Sequence, residues 1–202
     1  MTNPIDNISL PMPAVVEWSP NIILVDGDYI DRVAFDLIVN FERMLGRRIE
    51  QGDLCHWLDC IALDGGLTPG HNQVQALFLH SKTKERLDNF APAHFATELD
   101  GKAFSDNLGE FTMHSFAVES VVSADEFFIQ SLTTLCDAKE IKHLMVVGDM
   151  QRLGQRITAL CRQTDGKDIT VFAMEPLSGR GFTGEILGYS LMSALGIKGS
   201  EL

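Results

Sequence analysis

The sequence predicts a three-layer α/β/α domain built on a central, mostly parallel sheet of about five strands. Three observations carry that expectation. Five strand-like runs, Ile22 to Asp26, Gln75 to His80, Phe111 to Val118, His143 to Gly148 and Ile169 to Met174, alternate with stretches of helical periodicity, which is the order of strands and crossover helices in a parallel sheet. Two of the runs, Ile22-Ile23-Leu24-Val25 and Leu144-Met145-Val146-Val147, are apolar at every position, as strands buried on both faces are. Both then run straight into acids, Asp26-Gly27-Asp28 and Gly148-Asp149. In an open parallel sheet ligands bind outside the carboxyl ends of the strands, so acids far apart in sequence are placed to converge there.

Along the chain, the first twenty residues carry Pro4, Pro11, Pro13 and Pro20 among small and polar residues and read as an irregular arm. One α/β domain is expected over 21–197, and 198–202 as a short tail. The first helix is expected from about Asp31 to Leu45, where Val33, Leu37, Ile38, Phe41 and Leu45 recur at helical spacing before Gly46. A second, from about Gly52 to Leu63, puts Leu54, Trp57, Leu58 and Ile61 on one stripe and stops at Gly65-Gly66. Between Ser81 and Glu110, Phe90, Phe95 and Phe104 lie among Pro, Gly and polar residues, which reads as short helices or a packed loop. Ser123 followed by Glu126 forms a capping-box pattern, and the helix it opens turns Phe127, Phe128, Leu132 and Leu135 inward. Further helices are expected from about Gln151 to Arg162 and from about Thr183 to Leu195.

The 28 acids and 16 bases give a formal charge of −12, which repels nucleic acid at long range and counts against tight, non-specific binding. A basic patch around Arg47, Arg48, Lys82, Lys84 and Arg86, or an acidic site reached through bridging cations, remains compatible with it. No stretch approaches the roughly 20 apolar residues of a membrane span, and the N-terminus lacks a basic region followed by an apolar core. A cytoplasmic protein with no membrane role is expected. Cys55, Cys60, Cys136 and Cys161 show no C-x-x-C spacing and read as reduced thiols. The local cluster of Cys55, His56, Asp59 and Cys60 has no second pair of zinc ligands nearby, so an amphipathic helix accounts for it. Ser178-Gly179-Arg180-Gly181-Phe182-Thr183-Gly184 lacks a Walker lysine and reads as a connection. The histidines are scattered, and His71, His80, His94 and His114 have no recognisable Ser or Cys partner motif.

Asp26 and Asp149 have two readings. A strand-end aspartate accepts backbone N–H bonds or caps the next helix; alternatively, carboxylates on neighbouring strand ends hold Mg²⁺ or Mn²⁺, hard cations that prefer oxygen. The order of elements, together with Val25-Asp26-Gly27-Asp28-Tyr29, Ala124-Asp125-Glu126-Phe127 and Val146-Val147-Gly148-Asp149-Met150-Gln151, resembles the NYN branch of the PIN-like nuclease superfamily over about 21–175. The resemblance implies a PIN-like, Rossmann-like sheet on which Asp26, Asp125 and Asp149 bind one or two divalent ions, Mg²⁺ or Mn²⁺, with Asp28 or Glu126 assisting. The metal would activate water for attack on an RNA phosphodiester. Tyr29 stands where the family has asparagine and Gln151 where it has a second aspartate. The resemblance therefore implies either a ribonuclease or a catalytically reduced relative that binds RNA, a nucleotide, a protein partner or a second copy of itself.

The same residues support a second resemblance. Asp26-Gly27-Asp28 has the spacing of haloacid-dehalogenase-like phosphatases, with Asp26 as nucleophile and Asp28 as acid and base. Ser81 would then supply the hydroxyl, Lys139 or Lys142 the cation, and Asp149 the metal ligand. A third reading is a non-catalytic binding protein whose acids only stabilise turns.

Overall fold

The computed structural model describes residues 17–202. The irregular arm expected over the first twenty residues lies outside the described residues up to position 16. Its last residues are tied to the foot of the sheet, where the backbone N–H groups of Lys142 and His143 donate to Pro20 O.

Nine strands and five α-helices follow in the order β1 (Asn21–Asp26), α1 (Gly27–Leu45), β2 (Gly52–Asp53), α2 (Leu54–Asp64), β3 (Asn72–His80), β4 (Phe90–Ala91), β5 (Lys102–Ser105), β6 (Gly109–Ala117), α3 (Ala124–Asp137), β7 (His143–Val147), α4 (Met150–Gln163), β8 (Asp168–Ala173), β9 (Thr183–Ile186) and α5 (Leu187–Ala194). The central sheet has seven strands in the order β5-β6-β3-β1-β7-β8-β9. Every neighbouring pair is parallel except β5 and β6; β2 and β4 form a separate small sheet. Leaving out β5, the chain winds outward from β1 through β3 to β6, then returns to the other side of β1 and winds through β7, β8 and β9. This is the doubly wound order, and its topological switch point lies between β1 and β7.

Strand alternation sends side chains to opposite faces, and both faces are covered. Ile23, Val25, Phe78 and Phe172 pack with Trp57, Leu58 and Leu191 under α1, α2 and α5, while Ile22, Leu24, Leu144 and Val146 pack with Phe127, Phe128, Leu132 and Ile157 under α3 and α4. The fold is therefore the three-layer α/β/α arrangement that the apolar runs predict.

Two strands beyond the expected five complete the sheet. β5 is a four-residue, largely exposed edge whose Lys102-Ala103-Phe104-Ser105 carries almost no apolar signal. β9 falls where the sequence reading starts its last helix, so that helix is α5, beginning four residues later. Gly184 explains the difference: a Cβ there would lie 1.9 Å from the Leu177 carbonyl oxygen, a close backbone approach that only glycine permits. At the other end of the chain, α1 starts at Gly27 rather than Asp31 because Asp26 itself is its N-cap. The expected packed loop over 81–110 holds β4, a π-helical turn at Phe95–Leu99 and β5, with Phe95 stacked on His80 at 3.8 Å between ring centroids. The tail forms a 3₁₀ turn at Gly199–Glu201, and Glu201 accepts from Arg47 Nε at 2.8 Å and Nη2 at 2.9 Å. None of the described helices is long and apolar enough to cross a membrane.

Candidate functional site

β1 and β7 are paired so that Val25 faces Val147, which delivers Asp26 and Gly148-Asp149 to adjacent tips at the switch point. A helix begins immediately after each tip, and each aspartate has the extended backbone of an N-cap. Asp26 Oδ1 accepts from Tyr29 N–H at 3.0 Å. Asp149 Oδ1 accepts from Gln151 N–H at 3.1 Å and Arg152 N–H at 3.3 Å. The capping reading of both residues is thus realised, and it engages only one oxygen of each carboxylate.

The remaining oxygens meet one guanidinium. Arg152 Nε lies 3.1 Å from Asp149 Oδ2, Nη2 lies 3.6 Å from Asp26 Oδ2, and Nη1 lies 3.0 Å from Asp125 Oδ1. Asp125 arrives from the first turn of α3. Each nitrogen of Arg152 therefore faces a different member of the Asp26, Asp125 and Asp149 set. Arg32 on α1 adds a second cation, with Nη2 at 2.9 Å from Asp149 Oδ2 and its guanidinium over the Tyr29 ring at 5.5 Å, within cation–π range.

The other two acids of the sequence-derived set are engaged elsewhere. Asp28 Oδ2 accepts from Ser81 N–H at 3.0 Å, tying α1 to the tip of β3. Glu126 accepts from Arg156 Nη1 at 2.7 Å and Nη2 at 3.0 Å, an exposed pair locking α3 to α4 that holds the Glu126 carboxyl below its usual range.

Burial dominates the electrostatics. It pushes the Asp26 carboxyl up to about 6, helped by the nearby Asp28 charge and opposed by the Tyr29 N–H, Arg152 and Arg32. The guanidinium groups lose this contest for a geometric reason: Arg152 stands 3.6 Å away with its side chain 48% exposed, so water screens the pair. Burial likewise raises the Tyr29 phenol to about 12, with the Asp149 charge adding to it. Beside the cluster a cavity of about 380 Å³ opens between the tips of β1, β7 and β8; Tyr29, Arg32, Asp36, Asp149 and Glu175 give it polar walls, and Val33, Met174 and Leu177 an apolar lining.

Arg32 and Arg152 were not among the residues that motif reasoning selects. One signal for Arg152 was present: it stands in the first turn of α4, where the helix dipole favours acids and disfavours a base. A base there needs a carboxylate partner, and Asp149 sits at i−3.

A divalent ion does not fit the cluster as it stands, because the point that Asp26, Asp125 and Asp149 share is filled by Arg152. Among the described residues, no group of three or more His, Cys, Asp or Glu side chains is arranged to hold a metal. The phosphatase-like arrangement lacks its cation: Lys139 and Lys142 precede β7, at the opposite end of the sheet from Asp26. The lysine nearer the tips, Lys84, is paired with the buried Asp31.

Gly148 has a mechanical role. A Cβ there would lie 2.8 Å from Cζ of the buried Phe128 ring, so the strand-to-cap turn can sit directly on α3 only without a side chain. Gly148→Ala is expected to cost about 1–3 kcal/mol, the usual penalty of overpacking, read as a lower midpoint in urea unfolding; an unchanged midpoint would show that the ring moves aside freely.

With the geometry in place, comparison with known proteins adds one finding. A model described as a family of unknown function (DUF6621) matches residues 15–202. The chain belongs to this family. No curated protein and no solved structure matches it. At its switch point this DUF6621 chain holds two capping aspartates, a third carboxylate from α3, and two arginines paired with them.

Proposed function

We propose that the chain is a catalytically reduced relative of the PIN-like nucleases, which binds a short RNA segment or a nucleotide at the switch-point crevice without hydrolysing it. The observation that carries this reading is the meeting of Asp26, Asp125 and Asp149, the three acids of the motif resemblance, on the single guanidinium of Arg152. Strand pairing alone brings Asp26 and Asp149 together; the arrival of Asp125 from α3 at the same guanidinium is what turn stabilisation leaves unexplained.

The binding groups in this reading are the half-exposed guanidinium groups of Arg32 and Arg152. Each has donors left over after its carboxylate contacts, and planar N–H forks suit phosphate oxygens. The helix N-termini cannot serve, because the Asp26 and Asp149 caps already occupy the place an anion would take. A formal charge of −12 repels RNA at long range, so binding depends on short-range contacts with these arginines, and it is those contacts that salt weakens. The reading also places the protein in the cytoplasm, supported by four free cysteines, as expected in a reducing compartment.

The test is fluorescence anisotropy with a short single-stranded RNA in EDTA. Binding should weaken as salt rises, and Arg32→Ala should lower affinity about tenfold, the worth of one charge-assisted hydrogen bond. The RNA should stay intact with Mn²⁺ present. Absence of binding in EDTA, or cleavage that Asp149→Asn abolishes, would sink the proposal.

A further inference from the structure

We infer that the cavity at the foot of the sheet, beneath the amino ends of β7, β8 and β9, is a binding site for an aliphatic amine that carries two or more protonated nitrogens. This site lies at the opposite end of the strands from the switch point, and it does not depend on the RNA-binding reading.

The cavity measures about 600 Å³, and its lining includes His143, Asp168 and Thr183, the first residues of the three strands. Two helices end at it. α2 stops at Asp64 before Gly65-Gly66, and α4 stops at Gln163 before Thr164 and Asp165. The carbonyl end of a helix carries partial negative charge and favours cations. Three carboxylates, those of Asp64, Asp165 and Asp168, add full charges at the same place. Lys167 is the one lysine or arginine in the lining, and its Nζ is already committed to the carbonyl oxygens of Ala138 and Ile141. It offsets at most one of the three charges.

Exposed acids alone are satisfied by water; the buried groups are what point to a ligand. Thr170 is only 6% exposed, stands on β8 two residues from Asp168 and so on the same face, and lines the cavity. Its hydroxyl makes no hydrogen bond among the described residues, which leaves a desolvated polar group without compensation. The Nδ1 of His143 is also buried without a partner, 3.7 Å from Asp168 Oδ2 and thus beyond hydrogen-bonding range. Partial burial and the Glu185 charge hold the Asp64 carboxyl above its usual range, the condition of an anion short of a counter-charge. An entering ammonium group would meet carboxylates at the exposed rim and the Thr170 hydroxyl inside, all of them able to accept its hydrogens. The occupant is an organic cation rather than a single metal ion, because among the described residues no three His, Cys, Asp or Glu side chains are arranged to hold a metal. Acids too dispersed to close on one ion suit charges spread along a chain.

The experiment is isothermal titration calorimetry of the full chain with spermidine as the probe, in about 0.15 M NaCl, where attraction to scattered surface acids is screened. Spermidine should bind saturably at one site. Asp168→Asn changes a side chain that is 84% exposed, and Thr170→Val keeps the branched shape while removing the hydroxyl. Each should weaken binding about tenfold, the worth of one charge-assisted hydrogen bond. Glu119→Gln removes an acid beyond the carboxyl end of β6, at the other end of the sheet, and should bind as the wild type does. n-Butylamine, with a single charge, should bind about tenfold more weakly than spermidine or worse. Absence of saturable binding overturns the inference, as does n-butylamine binding as tightly as spermidine. Equal losses in Glu119→Gln and Asp168→Asn would reveal a diffuse counter-ion effect and overturn it too, as would wild-type affinity in Thr170→Val. If Thr170→Val fails to fold, the comparison of Asp168→Asn with Glu119→Gln decides alone.

Discussion

Asp26→Asn is expected to stabilise the protein by about 3 kcal/mol above pH 7 and to change its stability little at pH 4. The folded carboxyl takes its proton near pH 6, against an ordinary value of 3.8, because burial disfavours the anion. The folded state therefore holds a proton that the unfolded chain has released over that interval, and stability falls as pH rises from about 4 to about 6. Above pH 6 the wild type carries the whole penalty. A displacement of about two pH units corresponds to about 3 kcal/mol at 1.36 kcal/mol per unit. Asparagine removes the charge while keeping an oxygen for the Tyr29 N–H, and it caps a helix as well as aspartate does. At pH 4 the wild-type side chain is itself neutral, so the two chains converge. Urea unfolding at pH 4 and pH 8 measures the difference directly; a stability gap that is the same at both pH values, or a loss at pH 8, would show that Asp26 is not held as a strained anion.

The layers were legible in the sequence because buried strands leave a simple trace. Ile22 to Val25 and Leu144 to Val147 are apolar on both faces, and short runs of this kind bounded by turn residues suit strands of a sheet covered on both sides. β9 escaped because its role depends on Gly184 lying against the Leu177 carbonyl, a tertiary contact that four residues of Thr-Gly-Glu-Ile do not encode. The site divided along the same line. Asp26, Asp125 and Asp149 stand out in the sequence because each sits at a fixed local landmark, a strand end or the first turn of a helix. Asp28 and Glu126 stand one or two residues from those landmarks, yet the structure engages them with Ser81 and Arg156, partners distant in sequence. Arg152 was the residue most in need of three dimensions: its meaning comes from three carboxylates on three elements, and the one local hint was a base in a helix turn that favours acids.

The second large effect concerns Asp149, and the ranking of two variants carries more information than either alone. Asp149→Ala should cost about 3 kcal/mol. About 1 kcal/mol of this is the lost N-cap of α4, and the rest is the loss of an anion that accepts from both Arg32 and Arg152. The arginine share is modest because both guanidinium groups are half exposed and regain water when released. Asp149→Asn keeps an oxygen for the Gln151 and Arg152 N–H groups but turns an amide toward the guanidinium groups, so it should cost about 2 kcal/mol and leave the helix start intact. Equal losses in the two variants would mean that the cap contributes nothing; a negligible loss in Asp149→Asn would mean that the arginines need no anion there. The same reasoning decides how binding data must be read. Asp149 holds α4 in place as well as positioning both arginines, so loss of RNA binding in either variant mixes a structural effect with a chemical one. Arg32 caps nothing and its side chain is 55% exposed, which makes Arg32→Ala the substitution that removes a phosphate donor while leaving both helix caps in place.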